Sequence, residues 1–338
     1  MFQSDPKVQK FIKEACNGKD HIKLTIGIIA DGEKSIKVFD KTGEIQNENY
    51  IYEIGSITKT FTASLLAKYV YEQKVALDDP VSKYIEGLKC EKYYPTLRRL
   101  ATHTSGLGKY ELFGNWEYLK LALGYVFSSG VINKGKMPYN LDLEKMRKLL
   151  NQSKLQDKDY PFRYSNFGFA LIGYVIGVIS GKGYWDTMDN FLSEELGLQQ
   201  SYTGAYTGEK LQGFSKKNQP FGNWNWGKDL MAPGGDICST AQDLLAYAHM
   251  NMYDEKPYFS LCHQKHADFE NFGSGLSWGL QKKNNQVLSH GGATAMFTST
   301  LVFDKSKKLA SVVLSNYRID TATLGFVVLE HMQEVYNS

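Results

Sequence analysis

Tyr52-Glu53-Ile54-Gly55-Ser56-Ile57-Thr58-Lys59-Thr60-Phe61 joins a polar turn to an apolar helical pattern, and the rest of the chain is read outward from that junction. Ile57, Phe61, Leu65 and Tyr69 recur every four residues, with Leu66 and Val70 widening the stripe, which predicts an amphipathic helix. Ser56 then falls at or near the N-cap, and Lys59 shares its helical face. That is the layout of an acyl-transferring serine beside its proton acceptor. The same residues also read as a capping serine followed by an exposed first-turn lysine. Ser4-Asp5-Pro6-Lys7 repeats the Ser-x-x-Lys pattern, so spacing alone does not choose between the two readings.

The chain has 338 residues, long enough for one large core or two closely packed ones. Its 42% hydrophobic and 13% aromatic content is that of a globular protein. A net charge of +3, scattered along the chain, argues against nucleic-acid or membrane binding and favours small-molecule or peptide partners. No charged-then-apolar leader follows Met1, so the expectation is a cytosolic chain or a mature exported form. The longest apolar run, Phe167 to Ile179, is broken by Gly173 and Gly177 and reads as a buried helix, not a membrane span.

Cys16, Cys90, Cys238 and Cys262 lie far apart with no Cys-x-x-Cys spacing, which points to reduced thiols and to no disulfide framework. His263-x-x-His266 beside Cys262 lacks an acidic partner or close third ligand, so no metal and no cofactor is expected.

Val8 to Ala15 reads as a short helix, and Leu24 to Ala30 and Ser35 to Phe39 read as a hairpin turned at Asp31-Gly32. From Ala76-Leu77-Asp78-Asp79-Pro80-Val81 to about residue 227 the pattern is helical, clearest at Leu141 to Leu150 and Phe167 to Ile179. Strand signals return at Val287 to Ser289, Phe297 to Phe303 and Leu309 to Leu314, before a closing helix at Thr321 to Val335. Strands at both ends with helices between predict a mixed α/β chain of the α+β kind: one antiparallel sheet built from the N- and C-terminal segments and flanked by helices, with a helical insertion. The expected division is 1–80 with 228–338 as the mixed domain, and 81–227 as the helical one.

Further segments, taken in order with the Ser56 junction, resemble the serine β-lactamase and penicillin-binding superfamily, in particular its class C β-lactamase, DD-carboxypeptidase, D-aminopeptidase and esterase branch. Leu77-Asp78-Asp79-Pro80 is similar to that branch's Leu-Asp-Asp-Pro turn, and Leu100-Ala101-Thr102-His103-Thr104-Ser105-Gly106-Leu107 to its Leu-x-Thr-His-Thr-Ser-Gly-Leu segment. Tyr164-Ser165-Asn166 matches its Tyr-x-Asn element, and Gly234-Gly235-Asp236-Ile237-Cys238-Ser239-Thr240-Ala241-Gln242-Asp243 its Gly-Gly-x-x-Ser-Thr-Ala-x-Asp segment. His290-Gly291-Gly292 stands where the branch has Lys or His followed by x-Gly on a strand.

The resemblance implies an active site in a cleft between a mixed and an all-helical domain. There Ser56 is the nucleophile and Lys59 with Tyr164 forms a shared proton system. Two cations, Lys59 and a protonated His290, would favour a Tyr164 phenolate. Asn166, His290, Gly291 and Gly292 bind substrate, and the backbone N–H groups of Ser56 and Ala293 form the oxyanion hole. His103 is assigned to loop structure. Met296, where related sequences have glycine, is assigned to packing. Phe221 to Trp226 lines an acyl pocket or packs in the core.

Most β-lactamases carry lysine at the place of His290, and a histidine is largely neutral near pH 7. The expected function is therefore a serine acyl hydrolase acting on D-amino-acid-containing peptides or on small amides and esters. A class C-like β-lactamase, a carboxylesterase and a non-catalytic penicillin-binding sensor are the alternatives, and substrates are small peptides, amides, esters or β-lactams.

Overall fold

The computed structural model describes residues 5–108, 139–204 and 208–336. Ser4 of the second Ser-x-x-Lys match, and residues 109–138 and 205–207 of the expected helical stretch, lie outside them.

A helix at Pro6–Cys16 precedes β1 (Leu24–Ala30), β2 (Glu33–Asp40), β3 (Gly43–Ile45) and β4 (Tyr52–Glu53). Among the described residues the middle of the chain adds only the ribbon β5 (Gly213–Phe214) and β6 (Pro220–Phe221) to its helices, and β7 (Cys238–Ser239) pairs with β4. The C-terminal part supplies β8 (Ala267–Asp268), β9 (Phe272–Ser274), β10 (Gly279–Gln281), β11 (Val287–Ala293), β12 (Thr298–Asp304) and β13 (Leu309–Ser315).

Nine of these strands form one antiparallel sheet in the order β3-β2-β1-β13-β12-β11-β10-β9-β8. The two ends of the chain meet at its centre, where Leu24 pairs with Ser315 and Ile29 with Ala310. The β1–β2 hairpin closes on Asp31 and Gly32 at φ +52° and +76°, the pair of left-handed residues that a two-residue turn needs to follow the strand twist. β1 and β13 are buried along their whole length, because both faces of the sheet are covered. Ile26 and Ile28 pack with Val313, Val328 and Met332 on one face, while Ile29 packs with Leu245, Val312 and Leu314 on the other. The helix Thr321–Val335 covers the first face, and Ala241–Met252, absent from the sequence expectation, covers the second.

The expected helices are found at Leu143–Gln152, Asn166–Ser180 and Thr321–Val335. Two expectations need correction. Strand signals do not wait for residue 287, since β8 to β10 precede it; and the strand expected at Val287 to Ser289 runs on through His290 to Ala293 as β11. Among the described residues no single helix is long and apolar enough to cross a membrane.

Candidate active site

Ser56 lies in a 3-10 turn, Gly55–Ile57, which feeds the helix Thr58–Tyr71. That helix is the one expected from the apolar stripe, but it is buried on its polar side as well, for Thr58 through Ala67 are all buried. Its polar side is buried at little cost because its hydroxyls are paired. Thr60 donates to the Ile57 carbonyl at 2.8 Å, Thr62 to the Pro233 carbonyl at 2.9 Å, and Ser64 Oγ lies 2.9 Å from the Tyr247 hydroxyl.

Lys59 is therefore no exposed first-turn lysine; it is 0% exposed. Its Nζ donates to Ser56 Oγ at 3.0 Å and to the Gly234 carbonyl, and lies 5.0 Å from the Tyr164 ring centre and 5.7 Å from that of Phe169. The approach is close: a Cβ on Gly234 would stand in van der Waals contact with Nζ at 3.4 Å. The amine is thus held in a slot between two segments distant in sequence, with the serine as its outlet to the cleft.

Tyr164 is half-buried on the cleft wall with its hydroxyl facing Ser56, and burial raises its phenol well above the ordinary value. This corrects the expectation of a favoured phenolate: desolvation outweighs the lowering influence of the Ser56 hydroxyl, and the ring keeps its proton. Ser165, not Asn166, caps the helix Asn166–Ser180, accepting from the Gly168 N–H at 2.9 Å. Asn166 is left to face the cleft. Its Nδ2 donates to the Tyr139 hydroxyl at 3.0 Å, and its buried Oδ1 has no partner among the described residues.

His103 lies under Tyr164, ring centres 4.5 Å apart, with Phe162 and Phe169 around it. Its Nδ1 accepts from the Ser165 N–H at 3.1 Å, and its carbonyl accepts from Arg163 N–H at 2.9 Å. It holds the 163–165 backbone in place, as its assignment to loop structure expected. Burial, reinforced by the Lys59 charge, keeps its ring neutral.

β11 brings His290, Gly291, Gly292 and Ala293 along the opposite wall. His290 Nδ1 donates to the Gly291 carbonyl at 2.7 Å. Desolvation in the cleft wall, and then the Lys59 charge, push its pKa down to about 3, so it is neutral and Lys59 has no second cation beside it. The strand presses on the nucleophile turn: a Cβ at Gly292 would lie 2.0 Å from the Ile54 carbonyl oxygen, and one at Gly55 2.6 Å from Ala293 N. Gly55 is at φ +51°, a second reason for glycine there. Ser299 Oγ seals the contact by donating to the Ile54 carbonyl at 2.7 Å. The amides of Ser56 and Ala293 consequently belong to two chain segments in van der Waals contact.

These residues line one cleft of about 850 Å³. Beside Asn166 its wall is aromatic: Tyr139 stacks on Trp226 at 5.9 Å, and Trp224 meets Trp226 edge-on at 5.6 Å. Beside Tyr164 the rim is formed by Phe162, which packs on Phe269 and Phe272 at 5.2 and 5.0 Å. Of the segment from Phe221 to Trp226, the two tryptophans face the cleft. Met296 does not line it and packs against Gly213. Sequence reasoning missed the Gly234 carbonyl, Tyr139, the phenylalanine rim and Arg318, whose guanidinium donates to the Thr294 and Ala295 carbonyls. Only the glycine pair at 234–235 had left a signal.

His263, from the rejected metal motif, has its ring nitrogens 3.0 Å from Asn251 Oδ1 and 3.2 Å from Asp254 Oδ1.

The family model described as Beta-lactamase matches residues 23–324, and the chain belongs to that family, whose members are serine hydrolases acting on amides and esters. A β-lactamase of Providencia stuartii is 28% identical over 244 residues, 69% of this chain and 56% of that protein. A teichoic acid D-alanine hydrolase of Staphylococcus aureus is 29% identical over 186 residues, 55% of this chain and 38% of that one. The chain thus spans less than two thirds of the length of either relative. A class C β-lactamase structure superposes with a TM-score of 0.76 at 20% identity, covering 97% of this chain and 96% of the other. A β-lactamase/D-alanine carboxypeptidase from Pseudomonas syringae gives 0.74 at 16% identity, covering 96% and 98%. At these identities the likeness is one of fold, the class C β-lactamase fold.

Proposed function

We propose that this member of the Beta-lactamase family hydrolyses small esters and amides, D-amino-acid peptides among them, through an acyl-enzyme on Ser56. The observation that carries the reading is the 3.0 Å contact between Lys59 Nζ and Ser56 Oγ, in a cleft where the Tyr164 hydroxyl also reaches the serine.

A serine hydroxyl is a weak nucleophile until its proton is removed. Lys59, once it gives up its own proton, takes that of the serine as Oγ bonds to the substrate carbonyl carbon. The carbonyl electron pair moves onto oxygen, and the amides of Ser56 and Ala293 receive that oxyanion. Collapse breaks the bond to the leaving nitrogen or oxygen. The proton passes to that atom from the Lys59–Tyr164 pair, the amine supplying it and the Tyr164 hydroxyl relaying it. Water then attacks the acyl carbon, the same pair takes and returns a proton, and Ser56 is released. Asn166 offers its amide to the acyl side, and His290, Gly291 and Gly292 line the strand along which the substrate lies.

The neutral His290 weighs for ester and amide substrates over β-lactams, because it supplies no fixed cation to a substrate carboxylate. The hydrolase of D-alanyl groups among the relatives supports the same direction. A β-lactamase is the second reading, favoured by the relative of that name. It differs in whether water releases a penicilloyl group from Ser56.

The test is to incubate the protein with a fluorescent penicillin, a p-nitrophenyl ester and a D-alanyl peptide, following intact mass and product together. Ester or peptide turnover with slow penicillin release is the expected result. Fast penicillin turnover establishes the second reading, and full activity in Ser56→Ala removes Ser56 as nucleophile.

A further inference from the structure

Glu53, three residues before Ser56, is a buried carboxyl that the chemistry above leaves unused; it is 4% exposed. Its Oε1 accepts from the Trp224 N–H at 2.8 Å, and its Oε2 is buried with no hydrogen bond among the described residues. Beside it stands Thr294, the residue after Ala293. The Thr294 hydroxyl is also buried without a hydrogen-bond partner among the described residues, yet it is close enough to Glu53 to favour the carboxylate. From the other side Arg318 grips the Thr294 and Ala295 carbonyls. Gly55 and Gly292 leave no slack between residues 54–55 and 292–293, so the segment that follows Glu53 directly is pressed against Ala293.

We propose that Glu53 is a positioning residue for the oxyanion hole, working in its protonated form: it bridges the Trp224 backbone to Thr294, and once ionised it sets a negative charge beside the amides that must receive the oxyanion. The inference rests on Ser56 and Ala293 as the oxyanion donors.

Burial raises this carboxyl to about 7, against the Thr294 hydroxyl, the Trp224 amide and the Lys210 charge, which all favour ionisation. Cys238 faces Glu53 across the β4–β7 pair, and Asp236 lies in the same buried group. Both are themselves raised by burial, the thiol to about 12 and the acid to about 8, so both are largely uncharged when Glu53 titrates. A carboxylate in such surroundings is poorly screened and opposes a second negative charge nearby.

The test measures kcat/KM for p-nitrophenyl acetate from pH 6 to pH 8 in the wild type, Glu53→Gln, Lys210→Met and Ser56→Ala. The glutamine keeps an acceptor for the Trp224 N–H and a donor for Thr294 but cannot ionise. Its activity relative to wild type should rise about tenfold from pH 6 to pH 8, following the titration of a group near 7. Lys210→Met removes a charge that favours the carboxylate, so the alkaline decline of that variant should move to higher pH. A flat Glu53→Gln ratio overturns the proposal. If circular dichroism shows that Glu53→Gln has not folded, Lys210→Met decides, and an unmoved decline overturns it. Loss of turnover in Ser56→Ala with a flat Glu53→Gln ratio sinks this inference alone, whereas activity surviving in Ser56→Ala sinks the serine reading as well.

Discussion

Lys59 is hydrogen-bonded both to the serine it serves and to the carbonyl of Gly234, 175 positions further along the chain. The carbonyl fixes where the amine sits, and the hydroxyl gives it a proton to take. Lys59→Met keeps an unbranched stem of similar bulk and removes the acceptor. It should cut ester turnover by on the order of 10² to 10⁴, the usual contribution of one proton-transfer group. Lys59→Arg should not restore it, because a guanidinium stays charged. Burst kinetics with intact-mass detection of the acyl-enzyme checks both variants, and rapid acylation of either would remove Lys59 as base.

Gly291 and Gly292 are neighbours with opposite tolerance. A Cβ on Gly291 would meet nothing nearer than the Ser299 carbonyl oxygen at 3.8 Å, while one on Gly292 would overlap the Ile54 carbonyl oxygen at 2.0 Å. Gly292→Ala should therefore destabilise the fold by about 1 to 3 kcal/mol, the range for overpacking, whereas Gly291→Ala leaves the melting transition near that of wild type. Gly292→Ala should also lower kcat, since the strand it displaces carries Ala293. Equal denaturation midpoints for the two variants would contradict the close approach of β11 to the nucleophile turn.

What was legible in the sequence follows from how each element is held. β1, β2, β12 and β13 carry β-branched runs because they sit in or beside the sheet's buried centre, and their composition announces them. β8 to β10, with Ala267-Asp268, Phe272-Gly273-Ser274 and Gly279-Leu280-Gln281, pair through backbone bonds and leave no such signature. The helix after Ser56 showed its apolar stripe, but its burial on every side depends on partners at Tyr184, Pro233 and Tyr247, which no local window contains. Tyr164 and Asn166 were picked out by their resemblance to the branch's Tyr-x-Asn element. The neutrality of His290 and the burial of Glu53 were not readable, because charge state is set by neighbours and not by residue type.

Trp224 and Trp226 give the cleft an aromatic wall beside Asn166. Such a wall favours aryl or bulky apolar acyl groups over acetyl. Trp224→Ala should lower kcat/KM for a phenylacetyl or benzoyl p-nitrophenyl ester by about tenfold, equivalent to about 1.4 kcal/mol of lost contact, and leave the acetyl ester nearly unchanged. The two esters measured on one preparation provide the check. A uniform loss across both would mean that the ring supports the fold around the site and does not select the acyl group.

Asp236 is 1% exposed, with Oδ2 accepting from the Gly204 N–H at 3.3 Å and Oδ1 without a partner among the described residues. Burial raises its carboxyl from 3.8 to about 8. Between those values the folded chain holds a proton that the unfolded chain has released, so stability falls as pH rises through this window. Glu53, raised from 4.5 to about 7, acts in the same sense. His103 and His290, both lowered from 6.5, act in the opposite sense, since they cost stability only as pH falls below 6.5. Above that pH the two acids stand alone among these four groups, and the melting temperature should decline from pH 6.5 to 8.5. A single buried proton supports a slope of up to about 1.4 kcal/mol per pH unit. Asp236→Asn, neutral at every pH, should flatten that decline when melting is followed by calorimetry across the range. An unchanged slope in the variant would show that Asp236 is already ionised in the fold at pH 6.5.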